Sequence, residues 1–446
     1  MGTDNNQKLN VDNLEIITFG IDAVKPENLI PQSVKLANNT LVINGKLFPI
    51  NGFQKIYLIG AGKASAFMAY EIEKIIGDKI NDGILVTKYG YSVKCNRIKI
   101  LEAGHPIPDA NSLLAGEEIF NLVSNLTKND LVINLISGGG SSLLEILPAE
   151  IDLSDLICIN EILTKCGANI REINTIRKHL SLIKGGGLAK AAYPATIISL
   201  IISDVIGDPI DLIASGPTAI DSSTYEDVWN IITKYEIERR LPKNVTIYLN
   251  AGLEKEISGI VNPKHDSSNH VDNFIIANNS HALEAAKIKA EQLGYHAEII
   301  NKEIAGDVQN VADYISKFVC QIQQSNILIE RPACLLFGGE PTIIVRGSGI
   351  GGRNQHLALL CLQQFGNPGY DYNIICCGTD GTDGPTDEAG GMASPQIYDN
   401  AIHLGLNIDE FLENNDSYNF LRQVGGLFRT GPTGTNVMDI ISVLVQ

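Results

Sequence analysis

Two short and continuously apolar runs, residues 130–136 (DLVINLI) and 196–203 (TIISLIIS), constrain the fold more than any other feature of the chain. Strands that are buried on both faces have this pattern, whereas strands with one solvated face alternate apolar and polar residues. Further strands are predicted over residues 55–60, 83–88 and 97–104, and helices over 66–76 and 111–126. This alternation predicts an α/β fold, with a parallel sheet that carries helices on both faces.

A second set of strands and helices follows residue 273. Strands are predicted over residues 274–279, 296–300, 372–378 and 438–445, with a helix over 281–293. Residues 334–345 (CLLFGGEPTIIV) predict two strands around a Gly-Gly turn, which favours a mixed rather than a wholly parallel sheet.

A chain of 446 residues exceeds the usual size of one hydrophobic core. We therefore expect a Rossmann-like N-terminal domain over residues 1–245 and a mixed-sheet α/β domain over residues 246–446. The polar stretch between about residues 254 and 273 is interpreted as a linker or an exposed loop.

The formal net charge is −17, which disfavours nucleic-acid binding because such a surface repels phosphate backbones. The most apolar stretch, residues 195–202, is much shorter than the roughly 20 residues that span a bilayer, and the N-terminus has no signal-peptide pattern. Eight cysteines without C-x-x-C spacing are typical of reduced thiols in a cytoplasmic protein. A homodimer is compatible with these features.

A glycine-rich loop, Ser137–Gly138–Gly139–Gly140–Ser141–Ser142, directly follows the buried strand 130–136. Glycines without Cβ atoms let backbone N–H groups close around an anion, and the serines add hydroxyl donors. A flexible turn is the alternative, but such turns rarely follow a fully buried strand directly. The loop therefore predicts phosphate or carboxylate binding. Since the overall charge is negative, an anionic substrate also needs local cations.

A second loop follows strand 55–60 and contains Gly60, Gly62 and Lys63. It is not a Walker A motif, because that pattern requires glycine at position 57 and serine or threonine at 64, where this chain has Tyr57 and Ala64. What remains is a lysine in a glycine turn between a strand and a helix, where its ammonium can reach a bound anion.

Residues 347–352 (GSGIGG) match the G-x-G-x-x-G pattern of dinucleotide-binding folds. That signature requires an acidic residue at the end of the next strand, but Asp371 precedes the strand and Asp380 lies too far along the chain. Arg353, at the start of the following helix, is better suited to clamp an anion, because guanidinium binds phosphate or carboxylate bidentately.

Carboxylates follow two of the predicted strands. Asp204 and Asp208 follow strand 196–203, and Asp380 and Asp383 lie in the glycine-spaced segment after strand 372–378. The second of these loops predicts magnesium bound with a nucleotide phosphate, since magnesium needs only one or two protein carboxylates; turn chemistry is the alternative for that loop. Two further candidates for substrate or metal contacts are Glu340 in GGEPT and His105 in a turn held by prolines; for His105 a structural role is the alternative.

Together these motifs indicate phosphoryl transfer: glycine loops and cations hold a polyphosphate, magnesium offsets developing charge, and a carboxylate activates a hydroxyl. The motifs also resemble the type 2 glycerate kinases, whose C-terminal part is the MOFRL domain. The resemblance covers residues 55–437 and rests on segments in the family's order. These segments are IGAGKAS, GHPIPDANS, LISGGGSSLLE, REINTIRKHLSLIKGGGLA, ISDVIGDPIDLIASGPT, GGEPT, GSGIGGRNQ, GTDGTDGPTDEAG and TGPTGTN.

The resemblance implies an ATP- and magnesium-dependent kinase of D-glycerate, acting at the 2-hydroxyl, with its site in a cleft between the two domains. It implies catalytic roles for Lys63, Asp204 and Arg353, with cation binding by Asp204, Asp380 and Asp383. The chain departs from the family at His356, where a glutamate is usual. Two alternatives remain: an NAD(P)-dependent hydroxypyruvate reductase, and a non-catalytic protein that binds nucleotide or hydroxy acid.

Overall fold

The computed structural model describes residues 2–254, 270–325 and 329–446. The chain forms two compact units, Leu29–Ile276 (the N-terminal unit) and Met1–Asn28 with Ala277–Gln446 (the C-terminal unit). This division differs from the one predicted at residue 245: it falls after Ile276, and the first helix belongs to the C-terminal unit. Most of the predicted linker, residues 255–269, lies outside the described residues.

The chain alternates between helices and strands over most of its length. The helices are α1 (Gly2–Ala23), α2 (Pro26–Ser33), α3 (Ser65–Ile76), α4 (Ala110–Val123), α5 (Gly140–Leu143), α6 (Leu153–Lys165), α7 (Ile170–His179), α8 (Gly187–Ala192), α9 (Tyr225–Lys234), α10 (Lys243–Leu253), α11 (Asn279–Gln292), α12 (Val308–Ser325), α13 (Arg353–Phe365), α14 (Pro395–His403), α15 (Ile408–Glu413) and α16 (Ser417–Val424). The strands are β1 (Val34–Ala37), β2 (Thr40–Ile43), β3 (Lys46–Pro49), β4 (Lys55–Ala61), β5 (Ile80–Lys88), β6 (Lys99–Ala103), β7 (Asp130–Ile136), β8 (Thr196–Ile202), β9 (Val271–Ala277), β10 (His296–Asp307), β11 (Ala333–Thr342), β12 (Tyr372–Gly378), β13 (Gly390–Ala393), β14 (Leu427–Phe428) and β15 (Asp439–Val445).

The main sheet of the N-terminal unit has the strand order β6-β5-β4-β7-β8-β9. The pairs β5–β6, β4–β5, β4–β7 and β7–β8 are parallel, which confirms the predicted α/β fold. Every residue of β7 is buried, as its continuous apolar sequence predicts. Because β4, β7 and β8 are neighbours and run in the same direction, the loops after these strands lie at one edge of the sheet, where ligands of such folds bind.

The C-terminal unit contains a mixed sheet with the order β10-β11-β15-β12-β13-β14, as predicted. β10 and β11 are parallel, and the other pairs are antiparallel. The predicted Gly-Gly turn within residues 334–345 is wrong, because Gly338 and Gly339 lie inside the single strand β11. A Cβ on Gly339 would lie 2.1 Å from the backbone oxygen of Ile304 on β10, so glycine serves close strand approach here rather than a turn.

Residues 2–54 contain helices and strands that were not predicted from the sequence. Helix α1 packs on the sheet of the C-terminal unit, where the Asn13 side chain donates 2.7 Å to that of Asn373 on β12. β1, β2 and β3 form a small antiparallel sheet. Within the described parts of the chain, no helix is both long and apolar enough to cross a membrane.

Candidate active site

The two predicted anion-binding loops of the N-terminal unit interlock. β4 and β7 pair in parallel, so the loops that follow them begin side by side. The backbone N–H of Lys63 donates 2.9 Å to the carbonyl of Gly138, and the N–H of Ala64 donates 2.9 Å to Ser137 Oγ. A Cβ on Gly60 would lie 2.2 Å from the Leu135 carbonyl, so this glycine permits the two strands to approach. The lysine turn and the serine-glycine loop therefore form one structure.

Gly139 lies at the centre of this structure, in the left-handed region with φ 82°. A Cβ placed there would be 2.8 Å from Nε2 of His105 and 3.5 Å from Cγ of Lys63, so both side chains flank the glycine. Within the described residues, the backbone N–H groups of Gly138 and Gly139 have no hydrogen-bond partner. Unpaired amides of successive residues beside a lysine are the arrangement that binds phosphate or carboxylate oxygens.

We expect Gly139→Ala to disturb this arrangement through both backbone strain and contact with the His105 ring. The strain alone should lower the free energy of unfolding by about 1–3 kcal/mol. Gly45→Ala is the matched control, because Gly45 has φ 83° in the β2–β3 hairpin with no atom within 4 Å of a new Cβ. Thermal unfolding and ATP titration should show weaker ATP binding in Gly139→Ala and unchanged binding in Gly45→Ala. Equal ATP affinity in the two variants would contradict a role of this loop in binding.

The acidic loop after β8 meets the serine-glycine loop. β8 pairs in parallel with β7, which places Asp204 and Asp208 at the same edge of the sheet. The loop then returns to residue 215, where Ser215 Oγ lies 2.7 Å from Ser141 Oγ and donates 2.9 Å to Asn174 Oδ1 on α7. The structure thus assembles Lys63, His105, both glycine loops and the Asp204 loop in one unit.

Two almost wholly buried lysines near these loops form ion pairs that were missed in the sequence prediction. Lys178 lies 3.1 Å from Asp211, which belongs to the acidic loop, and 3.3 Å from Asp221. Lys184 pairs with Glu145, and both side chains are almost wholly buried. These cations come from REINTIRKHLSLIKGGG, a segment that contributed to the family resemblance but carried no assigned role. Their partners are distant in sequence, so spacing alone could not reveal the pairs.

The other predicted site residues lie in the C-terminal unit; they are Arg353, Glu340, Asp380 and Asp383. Arg353 donates from Nε and Nη2 to the two oxygens of Asp439, at 2.6 and 2.9 Å, and its Nη1 lies 2.8 Å from Glu340. Burial alone would lower the pKa of this guanidinium, but the two carboxylates outweigh burial and raise its pKa. Arg353 is therefore held rigidly and permanently charged. Asp439, the first residue of β15, was not predicted as a site residue.

Asp383 holds the start of α13 instead of facing solvent. One carboxylate oxygen accepts 3.1 Å from the N–H of Asn354, and the other accepts 2.8 Å from the N–H of Gln355. Burial raises the pKa of Asp383 to about 7, although these two N–H groups oppose the shift. With both oxygens engaged in this way, Asp383 fits a structural role better than the predicted cation role.

Asp380 shows the turn chemistry that was considered as the alternative for its loop. One oxygen of its carboxylate accepts from the N–H and the hydroxyl of Thr382, each at 3.1 Å. The described residues contain no group of three or more His, Cys, Asp or Glu side chains arranged to hold a metal. Of the predicted cation ligands, Asp204 and Asp208 are the two that lie in the N-terminal unit beside the glycine loops.

The Asp383 carboxyl predicts a pH dependence of stability. Its native pKa of about 7 exceeds the unfolded value of about 3.9, so the native state retains this proton in a range where the unfolded state has lost it. The free energy of unfolding therefore falls as pH rises through this range, by at most about 1.4 kcal/mol per pH unit. Asp383→Asn should remove this loss. The measured quantity is the difference in melting temperature between the wild type and Asp383→Asn. We expect the wild type to lose stability relative to the variant as the pH rises from about 4 to 7. A difference that does not change with pH would contradict the raised pKa of Asp383.

The GSGIGG segment does not present its amides to a ligand. The N–H of Gly349 donates 2.9 Å to the Asn414 carbonyl, and that of Ile350 donates 2.9 Å to Asp416. A Cβ on Gly347 would lie 2.2 Å from the Asn414 carbonyl oxygen. These glycines therefore let the segment pack closely against residues 414–416. The N–H groups that donate to these residues are not available to the pyrophosphate of a dinucleotide.

A cavity of about 640 Å³ lies in the C-terminal unit, one turn of α13 beyond Arg353. Its walls include His356, Arg346, Asp307 and Asp409. Burial lowers the pKa of His356, and the charge of Asp307 opposes this shift. The residue at which the chain departs from the family pattern is thus favoured as a neutral imidazole within this unit.

Known proteins are similar to this chain along nearly its full length. A family model described as a domain of unknown function, DUF4147, matches residues 12–250, and the MOFRL family model matches residues 333–439. The glycerate 2-kinase of Pyrococcus horikoshii is 41% identical over 433 residues, which cover 97% of this chain and 96% of that protein. A putative hydroxypyruvate reductase of Agrobacterium vitis is 39% identical over 391 residues, covering 87% of this chain and 86% of that protein. The crystal structure of glycerate kinase from Thermotoga maritima superposes with a TM-score of 0.85 at 36% identity, covering 99% of this chain and 100% of that one.

Proposed function

Because the chain belongs to the type 2 glycerate kinase family, with DUF4147 and MOFRL domains, we propose that it transfers the γ-phosphoryl group of ATP to the 2-hydroxyl of D-glycerate. One observation carries this proposal beyond family membership. The lysine turn and the serine-glycine loop (the proposed phosphate cradle) interlock through hydrogen bonds, and the Asp204 loop packs against them. A phosphate cradle, a cation and a carboxylate are the groups that phosphoryl transfer requires.

Lys63 and the amides of Gly138 and Gly139 hold phosphate oxygens in this proposal. The charge on the transferring group is then met by an ammonium and by N–H dipoles that are already in place, so little reorganisation is needed during the reaction. Ser137 fixes the lysine turn through the N–H of Ala64, and Ser141 fixes the Asp204 loop through Ser215. His105 packs beside Gly139 and closes one side of the cradle.

Asp204 is the proposed base that orients the 2-hydroxyl and accepts its proton. Asp208, four residues later, lies in a turn and has a positive φ of 54°. Its backbone N–H donates a hydrogen bond of 3.0 Å to the carbonyl of Val205. Magnesium, whose preferred ligands are oxygens, would be held by Asp204 and Asp208 with phosphate oxygens, and would neutralise charge on the nucleotide. Two carboxylates fit that demand, because magnesium retains several waters when it binds with a nucleotide.

Arg353 keeps its predicted role as an anion clamp in this proposal. Asp439 is buried and binds the guanidinium bidentately, which fixes the orientation of the side chain. Glu340 is partly exposed, so it is the partner that an incoming carboxylate or phosphate would displace. A cytoplasmic location stays a prediction.

A hydroxypyruvate reductase activity is supported by the name of the Agrobacterium relative. The structure of the G-x-G-x-x-G segment in this chain supports it less. The G-x-G-x-x-G segment has N–H groups engaged by residues 414–416, so it lacks the open backbone of a dinucleotide site. A non-catalytic binding protein would need the cradle but not Asp204.

A coupled assay separates these functions. Pure protein is incubated with D-glycerate, ATP and magnesium while ADP release is followed, and in parallel with hydroxypyruvate and NADH. The proposal predicts ADP release that requires D-glycerate, without NADH oxidation. NADH oxidation without ADP release would favour the reductase, and ligand binding without either turnover would favour the binding protein.

A further inference from the structure

Arg177, on α7, is a partly buried cation that lacks a counter-ion in the described structure. Its Nε donates 2.7 Å to Asn160 Oδ1 on α6. Among the described residues, neither Nη1 nor Nη2 makes a hydrogen bond, and no carboxylate oxygen lies within 4.0 Å of the guanidinium. Partly buried charges are normally paired, because removing them from water is costly.

The neighbouring cations of the same segment do have partners. Lys178 pairs with Asp211 and Asp221, and Lys184 pairs with Glu145. Glu145 also accepts a hydrogen bond from Ser181, so the carboxylate that acts on Arg177 is already engaged. Burial lowers the pKa of Arg177, and the charge of Glu145 only partly offsets this effect. The guanidinium is thus poised for another anion.

Arg177 lines a small cavity of about 10 Å³ together with Ser141, Ser142 and Pro106. This volume matches one water-sized group, which is enough for a single anionic oxygen. Ser141 and Ser142 belong to the serine-glycine loop, and Pro106 follows His105, whose ring lies against Gly139. The cavity therefore adjoins the proposed phosphate cradle. Its other walls are formed by Pro108, Leu156, Asn160 and the ion pair between Lys184 and Glu145.

We propose that Arg177 binds an anionic oxygen group of a substrate through its two Nη nitrogens, next to the hydroxyls of Ser141 and Ser142. This inference rests on the proposed kinase function and adds a second cation to the site of the N-terminal unit. The recognised chemistry is a carboxylate or a phosphate, one oxygen of which enters the cavity and accepts hydrogen bonds from the guanidinium. The hydroxy acid and the nucleotide are the two sources of such a group.

Steady-state kinetics of Arg177→Gln distinguish the two sources. Hydrogen bonds to charged groups are strong, so the KM of the substrate that Arg177 binds should rise about 10- to 100-fold. A rise confined to D-glycerate identifies a carboxylate site, and a rise confined to ATP identifies a phosphate site. Arg177→Lys should recover part of the loss, because it keeps the charge without the fork. Arg171→Gln, an exposed arginine on the same helix, is the control and should leave both KM values unchanged. Unchanged KM values in a folded Arg177→Gln would overturn the proposal.

A measurement on the wild-type protein covers the case in which the variant does not fold. Arginines are modified with phenylglyoxal in the presence or absence of D-glycerate or ATP, and peptides are mapped. Arg177 should be protected by one of the two ligands, while Arg171 should not; protection by neither would overturn the proposal. Absence of turnover in the wild type would count against the kinase function alone, since the protection experiment still reports binding.

Discussion

Lys63→Ala is expected to lower kcat for D-glycerate phosphorylation by about 10²- to 10³-fold, the usual cost of removing one preorganised charge-stabilising group. The expected effect is on turnover rather than folding, because the Lys63 contacts to Gly138 and Thr87 use backbone atoms that alanine retains. Initial rates of ADP release at saturating substrates measure the change.

Lys55→Ala is the matched control, since Lys55 is an exposed lysine at the opposite end of the same strand, β4. It should keep wild-type turnover. A near-normal kcat in Lys63→Ala, with an unchanged melting temperature, would remove the lysine from the site.

Asp204→Asn should reduce kcat by about 10²- to 10⁴-fold, because an amide cannot accept the hydroxyl proton. The shape of the side chain is conserved, so the KM for D-glycerate should change little. Titrating magnesium separates the two roles proposed for this residue: a loss that excess magnesium restores indicates a metal ligand, and a loss that it does not restore indicates the base.

Two further variants complete that experiment. Asp208→Asn should mainly raise the magnesium concentration needed for half-maximal rate. Asp78→Asn changes a carboxylate that is 97% exposed and should have no effect on either quantity. Wild-type kcat in Asp204→Asn would contradict both roles of Asp204.

Much of the fold was predictable because the strands of a parallel sheet are buried on both faces. β7 and β12 match their predicted bounds, and β8 differs by one residue, because a short and continuously apolar run leaves little freedom in where a buried strand begins and ends. The Gly338–Gly339 pair was misinterpreted because local sequence does not distinguish a turn from a strand that needs close approach to its neighbour. The packing of α1 on β12 is equally a long-range property.

The candidate site was predictable where it follows strand ends and was not predictable where it depends on ion pairs. Lys63 and Gly139 follow parallel neighbouring strands, so local patterns sufficed to propose that they act together. Asp439, which accepts hydrogen bonds from Arg353, lies on a strand 86 residues further along the chain. Asp383 had the correct type for a metal ligand, but its partners on α13 are determined by the tertiary fold.

The most direct test of the central claim is phosphorus NMR of the products formed from D-glycerate, ATP and magnesium. We predict ADP together with 2-phosphoglycerate, recognised by the chemical shift and proton coupling of a phosphate on C2. Inorganic phosphate without a phosphoglycerate signal would mean that water is the acceptor and would contradict the kinase proposal. A phosphate on C3 would retain the kinase but contradict the proposed position of the reacting hydroxyl.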